Sequence, residues 1–507
     1  MIKWEWFKSN QIKIGYTKAN NLSYANANLY EITSLKMIST STLNKVKAPV
    51  SSDLAKPKDL ALYVFEKLQQ DKLGSSMPNL TVLENLMETM FYASLKTEEG
   101  QLLNVTVTLI NHEILMPSRG FPKTDNWNFV KFGNAIAFDV KAVTKLAKAA
   151  DPWSGSLAVY YSADNSLTIN GMIDQAVHSQ GWINFETETK PDQPGILQVS
   201  IIGIGSLSVM CGYEEIATLK HENLIKKYHD VLNRGPVSDF LNLKAAKLKK
   251  GLTQFAKETN PQLIGAIDRL VKKCVKKVFS KILIKVQNYH HGGAILFSSK
   301  TTQLDIKYKL QYDRLHRAML NLLKYELVHI AQNSILPDDF DPLVDVDTAY
   351  YLRKSNLERQ KLRALNEIKG TIRFIASQCC VDGLVLIDQN LTVKGFGVVI
   401  KKIKLPEKVW ICNSVYAYPQ HLRESDPEQH GTRHRSMFSY CWNNPGTLGF
   451  VISQDGDIRP VMRIKEKLIL WENIQAKQTR LNSNVKHRMI INISQPGYKK
   501  GEIISMF

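Results

Sequence analysis

Gly431-Thr-Arg-His-Arg435, running on into Met437, Phe438, Tyr440 and Cys441, is the stretch around which this chain organises itself. It packs two guanidinium groups, an imidazole, a hydroxyl and a glycine into five residues. Gly or Thr ahead of an apolar run at helical spacing predicts a helix start. Arg433 and Arg435 then stand beside the unpaired N–H groups and the positive dipole end of that helix, a favourable place for phosphate. A solvated basic turn is the alternative, and the neighbouring chain has to decide between the two.

Moving outward, Asn443-Asn-Pro-Gly446 reads as a turn and residues 447–453 as a strand. Asp455-Gly456 is a tight turn, and residues 458–464 are expected to be the last strand. Upstream, Val381-Asp-Gly-Leu-Val-Leu-Ile-Asp388 is a turn into a strand, with residues 393–400 as its hairpin partner. Gly292-Gly293 opens a buried strand over residues 294–297. Helical patterns occupy residues 312–331 and 349–377. Strands alternating with helices, several of them continuous apolar runs, predict an α/β fold whose mixed sheet has helices on both faces. Ligand groups then belong at strand ends and adjoining turns.

Three such turns carry polar chemistry. Asp382 precedes Gly383, where a backbone can approach a ligand closely. Thr432, Arg433, His434 and Arg435 supply phosphate-binding donors. Ser453 ends a strand with a further hydroxyl. A carboxylate with paired arginines suits nucleotidyl transfer, the one holding a divalent metal and drawing off a hydroxyl proton, the others offsetting phosphate charge. Each residue also has a bland reading: a hairpin Asp-Gly, a hydrogen-bonded helix-start histidine, a strand-end serine. The acidic stretch with Asp338, Asp341, Asp345 and Asp347 lacks the glycine and closing glutamate of a calcium loop.

The N-terminal half is of another kind. Residues 1–77 read as an extension, with a short helical pattern at residues 60–68. Residues 78–230 read as an α+β domain, including hairpins over residues 156–169 and 197–210. Gly203-Ile-Gly205 sits in the second hairpin and has no following helix signal, so it is not a phosphate loop. Asn233-Arg-Gly-Pro236 is a break. Residues 237–286 form a basic helical segment, a connector or the first helix of the next domain, and residues 473–507 a basic tail.

Composition limits the classes. The 507 residues are 44% hydrophobic and 22% charged, as in globular domains. No apolar run is long enough to span a membrane, and the start lacks a secretory pattern, so a cytoplasmic protein is expected. Six cysteines show neither disulfide nor zinc spacing. The net charge is +19, and residues 244–285 hold 12 basic against two acidic residues. A solvated helix face explains that run; an acidic partner, nucleic acid or attraction of anionic nucleotides are the alternatives. Aromatic interleaving of the kind used to bind single strands is missing.

Two resemblances sharpen this. Residues 91–101, Ala150-Asp-Pro-Trp-Ser-Gly-Ser-Leu-Ala-Val159 and Ile173-Asp-Gln175 resemble the DACNV-like N-terminal sensor module of bacterial diadenylate cyclases. Asp382-Gly383-Leu384 and Gly431-Thr-Arg-His-Arg435 resemble the paired Asp-Gly-Ala and Arg-His-Arg motifs of DisA-type diadenylate cyclases (the DAC, or DisA_N, domain). Gly293-Ala-Ile-Leu296 is similar to the strand opening that domain, which would here occupy residues 287–472. The resemblance implies two catalytic domains meeting face to face, each with one ATP and Mg²⁺ or Mn²⁺, forming cyclic di-AMP and pyrophosphate. It implies Asp382 as metal ligand and promoter of hydroxyl attack, and Arg433, His434 and Arg435 as catalytic phosphate holders. Gly293, Gly383, Leu384, Gly431, Thr432 and Ser453 would line the ATP site. Leu384 departs from the family alanine and adds bulk expected beside the nucleotide. The segments from Gly293 to Asp382 and from Asp382 to Arg433 are long for the family. A catalytically silent ATP or cyclic-dinucleotide sensor is the second reading. A nucleic-acid binder driven by the lysine-rich segment ranks last, because it leaves Gly431–Arg435 unexplained.

Overall fold

Two large mixed sheets carry the fold. The structure is a computed structural model describing residues 54–70, 77–111, 127–151, 153–175, 179–187, 197–211, 214–333, 348–454 and 456–478. The acidic stretch 338–347, Asp455 and most of the basic tail lie outside the described residues.

The first sheet is built from helices α1 (Pro57–Gln70) and α2 (Leu80–Ser94), strands β1 (Thr97–Glu98), β2 (Gln101–Leu102), β3 (Thr106–Asn111) and β4 (Trp127–Ala137), and helix α3 (Val140–Leu146). Strands β5 (Gly155–Tyr161) and β6 (Leu167–Gln175), helix α4 (Ser179–Ile183), and strands β7 (Leu197–Gly203), β8 (Ser206–Cys211), β9 (Glu214–Lys220) and β10 (Asn223–Ile225) follow. Eight of these strands pair in the order β10-β9-β8-β7-β3-β5-β6-β4, while β1 and β2 form a separate hairpin. Only β3 and β5 among them run parallel.

Period-two alternation divides this sheet. Val107, Leu109, Leu157, Val159, Val199 and Leu207 share one buried core with α1, α2 and α3. Asn79 caps α2, its side-chain oxygen accepting from the Val82 N–H at 2.9 Å. Helix α1 falls within the residues read as an extension, yet Leu60, Val64 and Leu68 are fully part of that core. The opposite face joins a small apolar cluster of Ile110, Ala158, Tyr160 and Ile173 to a row of buried polar side chains. Thr106 bonds Ser200 at 2.8 Å, Thr108 bonds Ser156 at 2.7 Å, and the Gln198 amide donates to Thr108 at 3.0 Å. Hydroxyls paired in this way can be buried without an unsatisfied-group penalty.

Three helices lead into the second half: α5 (Gly235–Lys244), α6 (Ala246–Thr259) and α7 (Ile264–Gln287). Ile267, Val271, Val275, Val278 and Ile282 pack with the strands that follow; of the lysines Lys273 is exposed, Lys281 is buried and the rest are half-buried. Lys276 there pairs with Asp230 at 2.8 Å.

The second half continues with β11 (Gly293–Phe297), β12 (Leu304–Tyr312), α8 (Arg314–Asn333), α9 (Thr348–Gln378), β13 (Leu384–Ile387), β14 (Val393–Ile400), β15 (Val409–Cys412) and β16 (Leu422–Ser425). It closes with α10 (Thr432–Asn443), β17 (Leu448–Ile452), β18 (Ile458–Ile464) and β19 (Lys467–Trp471). The nine strands pair in the order β12-β14-β13-β11-β17-β18-β19-β15-β16. Both faces are covered. Ile295, Phe297, Val385 and Ile387 enter the core with α7, α8 and α9. Ala294, Leu296, Leu384 and Leu386 enter the core with Met437 and Phe438 of α10. The α/β reading of this half therefore holds, with one correction. Strand β18 is not the last, because a two-residue turn at Lys465–Glu466 returns the chain as β19, whose Leu468, Leu470 and Trp471 are buried. All six cysteines are free thiols, and no helix among the described residues is long and apolar enough to cross a membrane.

The long spacing between Gly293 and Asp382 has a physical form. Strand β12 pairs at the sheet edge, and α8 and α9 pack on the α7 face. The described part of the extra chain thus adds cover to a face and leaves the strand ends clear.

Candidate functional site

The parallel register of β11 and β13 matches Ile295 with Val385, which brings Gly293 level with Gly383 two residues back. On the other side of β11, antiparallel β17 matches Gly293 with Ile452, so Ser453 follows at the same end. Three adjacent strands therefore deliver Asp382-Gly383, Gly292-Gly293 and Ser453 to one end of the sheet. At about 4.8 Å per strand the row spans roughly 10 Å.

Helix α10 brings the arginines to the same end. Gly431 is its N-cap, without a side-chain cap bond, and Thr432 is its first residue. The first N–H groups are thus not taken by a capping side chain. A Cβ on Gly292 would stand 2.9 Å from Arg433 Nη1, 2.9 Å from the Ile452 oxygen and 3.2 Å from the Gln454 nitrogen. Gly292 also has φ +65°. Glycine there leaves the groove in which the Arg433 guanidinium lies.

Asp382 and Arg433 are exposed, and neither forms a hydrogen bond or ion pair among the described residues. An exposed carboxylate and an exposed guanidinium at one strand end are open to a ligand. Arg435 is more constrained, with Nη1 donating to Glu428 Oε2 at 2.9 Å and Nε buried without a partner.

His434 differs from its neighbours. It is 8% exposed, and its ring clusters with those of His430 and Phe438, which also meet each other edge to face. Burial, with the charges of Arg459 and His430 next, pushes its pKa down to about 4. At neutral pH it is an uncharged hydrogen-bonding group with a buried, unpartnered Nε2. It adds no positive charge to a phosphate grip. Because the folded-state pKa lies below the ordinary 6.5, the unfolded chain binds more protons between those values. Stability is expected to fall as pH drops from 6.5 towards 4, by up to about 3 kcal/mol from this residue. Thermal melting across that range checks this, with a shallower fall expected for His434→Gln. His430, His229 and His316 are depressed chiefly by burial as well, so some slope will persist in that variant.

The Ser453 hydroxyl accepts from the Asp457 N–H at 2.9 Å, and the Ser453 N–H donates to the Asp457 carbonyl at 2.9 Å. It locks the turn between β17 and β18. Asp457 in turn takes Arg459 Nη2 at 3.0 Å. Sequence reasoning singled out neither Asp457 nor Arg459, although their i, i+2 spacing at a strand start is a usable signal for one shared face.

Leu384 does not stand beside open space. It is 5% exposed and packs in the core under α10, so the bulk expected near a nucleotide is absorbed by the core instead. Gly383 is the constrained member of the pair. Its φ is +109°, and a Cβ would stand 2.7 Å from the Gly397 carbonyl carbon and 2.8 Å from the Val398 nitrogen. Gly383→Ala is expected to cost about 2–3 kcal/mol in denaturant unfolding. A loss below about 0.5 kcal/mol would contradict the close packing of this turn.

Among the described residues no group of three or more His, Cys, Asp or Glu side chains could hold a metal ion. A lone carboxylate such as Asp382 fits Mg²⁺ or Mn²⁺ only as one ligand beside substrate phosphates and water, which is how hydrated Mg²⁺ is commonly held.

Residues 73–174 match the family described as "Probable sensor domain DACNV". The match ends within β6, while the sheet goes on through β7–β10. No curated protein matches the chain.

Proposed function

We propose that the chain is a diadenylate cyclase, condensing two ATP into cyclic di-AMP and two pyrophosphates where two catalytic domains face one another, under the control of its N-terminal sensor domain. The observation that carries this is the meeting of Asp382, Gly292-Gly293, Ser453 and the Arg433 end of α10 at one end of the second sheet. The matched sensor family, which is associated with diadenylate cyclases, adds support.

The chemistry follows from those positions. Arg433 and the N–H groups that open α10 take the triphosphate charge. Gly292 leaves room for the Arg433 guanidinium, and Gly383 lets its turn pack against β14, which fixes Asp382 at the strand end. Asp382 accepts the proton of the 3′-hydroxyl as its oxygen bonds the α-phosphorus of the other ATP. The bond from that phosphorus to the bridging oxygen breaks, and pyrophosphate leaves. Neutral His434 supports the helix end from within. Asp382 would hold Mg²⁺ or Mn²⁺, which supplies charge neutralisation at the phosphates. Each protomer holds one nucleotide, so the ring closes only between two copies.

Incubating the full chain with ATP and Mg²⁺ or Mn²⁺ and identifying products by mass spectrometry tests this, with cyclic di-AMP expected. ATP binding without product in either metal would favour the silent sensor instead.

A further inference from the structure

The polar face of the first sheet meets the Ser453 end of the second at one charged side chain, Lys220. Lys220, at the end of β9, pairs its ammonium group with the Asp457 carboxylate. Lys220 is 18% exposed at its side chain and Asp457 37%, so the pair is partly shielded from solvent. Asp457 is the residue whose N–H and carbonyl both bond Ser453. Its carboxylate also holds Arg459, and Arg459 reaches Glu472 at 3.6 Å. The four charges form a chain that starts on the first sheet and ends just past the last strand of the second.

The surroundings of Lys220 fit a transmitting role. It lies on the face that carries Thr218, Ser208, Ser200 and Thr108, all buried. Thr218 and Ser208 both donate to Glu215 Oε1, at 2.5 and 2.8 Å. The Tyr228 phenol is pushed up by burial and then by the charges of Glu215 and Asp457. His229 continues the link by exchanging backbone bonds with Asn473 and Gln475 at 2.8 Å each. A partly buried polar contact of this kind favours one register and is disrupted by small shifts. Arg459 stands near enough to His434 and His430 for its charge to act on both. The Lys220 contact therefore bears on the turn at Ser453.

We propose that Lys220 is a positioning residue for the nucleotide site, through which the sensor sheet holds the Ser453–Asp457 turn and so sets the competence of the catalytic domain. The claim about competence rests on the cyclase reading, whereas the claim about the turn does not. Movement of the sensor sheet on binding its signal would pull Lys220 from Asp457, free the turn and misplace Ser453. Coupling between sites through a two-state contact has this form and typically changes affinity about 5- to 150-fold.

The test uses the full chain as wild type, Lys220→Met and Lys220→Arg. Amide hydrogen exchange at Gly456 and Asp457 is read alongside kcat and KM for ATP. In Lys220→Met, exchange at those amides is expected to rise about tenfold while β5 and β13 stay protected, and kcat to fall at least about fivefold. Lys220→Arg is expected to restore both, because it keeps the charge. Unchanged exchange at the turn in Lys220→Met would overturn the proposal. So would an acceleration spread evenly over the chain, or a loss that Arg does not restore. If wild type itself makes no cyclic dinucleotide while the turn responds as expected, the cyclase reading fails and the hold on the turn stands.

Discussion

Asp382→Asn is expected to bind ATP and to make almost no product. The substitution keeps the size of the side chain and places it at an exposed strand end, where no described residue is bonded to it. Folding should be unaffected, and the thermal midpoint should match wild type. What changes is chemistry. An amide cannot accept the hydroxyl proton and is a poor ligand for Mg²⁺. Loss of a positioned general base costs about 10²–10⁴-fold, and loss of the metal ligand adds to it. Calorimetric ATP affinity beside a product time course separates the two effects. A variant that turns over like wild type would remove Asp382 from the mechanism.

Arg433→Met has the second large effect. Arg433 lies in the groove left by Gly292, beside Ile452 and Gln454 of the serine turn, and makes no ion pair among the described residues. Its removal therefore leaves no stranded acid behind, and stability should hold. Phosphate charge at the start of α10 then loses its planar, two-pronged donor. Removing one such donor to developing charge costs about 10²–10³-fold in kcat. Arg433→Lys is expected to recover only part of this, because a point charge does not reproduce the fork. A full recovery, or a collapse of the fold in either variant, would contradict the placement. Arg435 offers the contrast, since its guanidinium is already engaged by Glu428.

How much of this could be read from the residues varies along the chain. The start of α10 was legible because glycine, polar residues and an apolar run at helical spacing all agree there. The hairpins β5–β6 and β7–β8, and strands β11, β13, β14 and β17, were legible because each is an apolar run bounded by turn residues. Strand β12 was not, because at the sheet edge it alternates Leu304, Asp305, Ile306, Lys307 and Tyr308, and its outer face is charged. Strands β15 and β16 hide in a segment rich in proline and polar residues. They pair only because β19 offers β15 a parallel edge distant in sequence. Leu384 shows the limit most plainly. Its neighbours in sequence suggested a ligand wall, but side chains on successive residues of a strand point to opposite faces, and Leu384 takes the core face. The polar face of the first sheet is a similar case. Rows of Thr and Ser look solvated in sequence, and only the pairing of hydroxyl to hydroxyl across strands allows them to be buried.

Under the proposed function, each chain would hold one nucleotide at the end of the second sheet, and a second copy would be needed to complete the ring. Phosphorus NMR of wild-type protein incubated with ATP and Mg²⁺ or Mn²⁺ measures this most directly, because it follows substrate and every phosphorus product together. The expected result is one cyclic di-AMP and two pyrophosphates for every two ATP consumed, with no ADP and no free phosphate. Release of ADP and phosphate, or an ATP spectrum that shifts on binding and then stays unchanged, would contradict it.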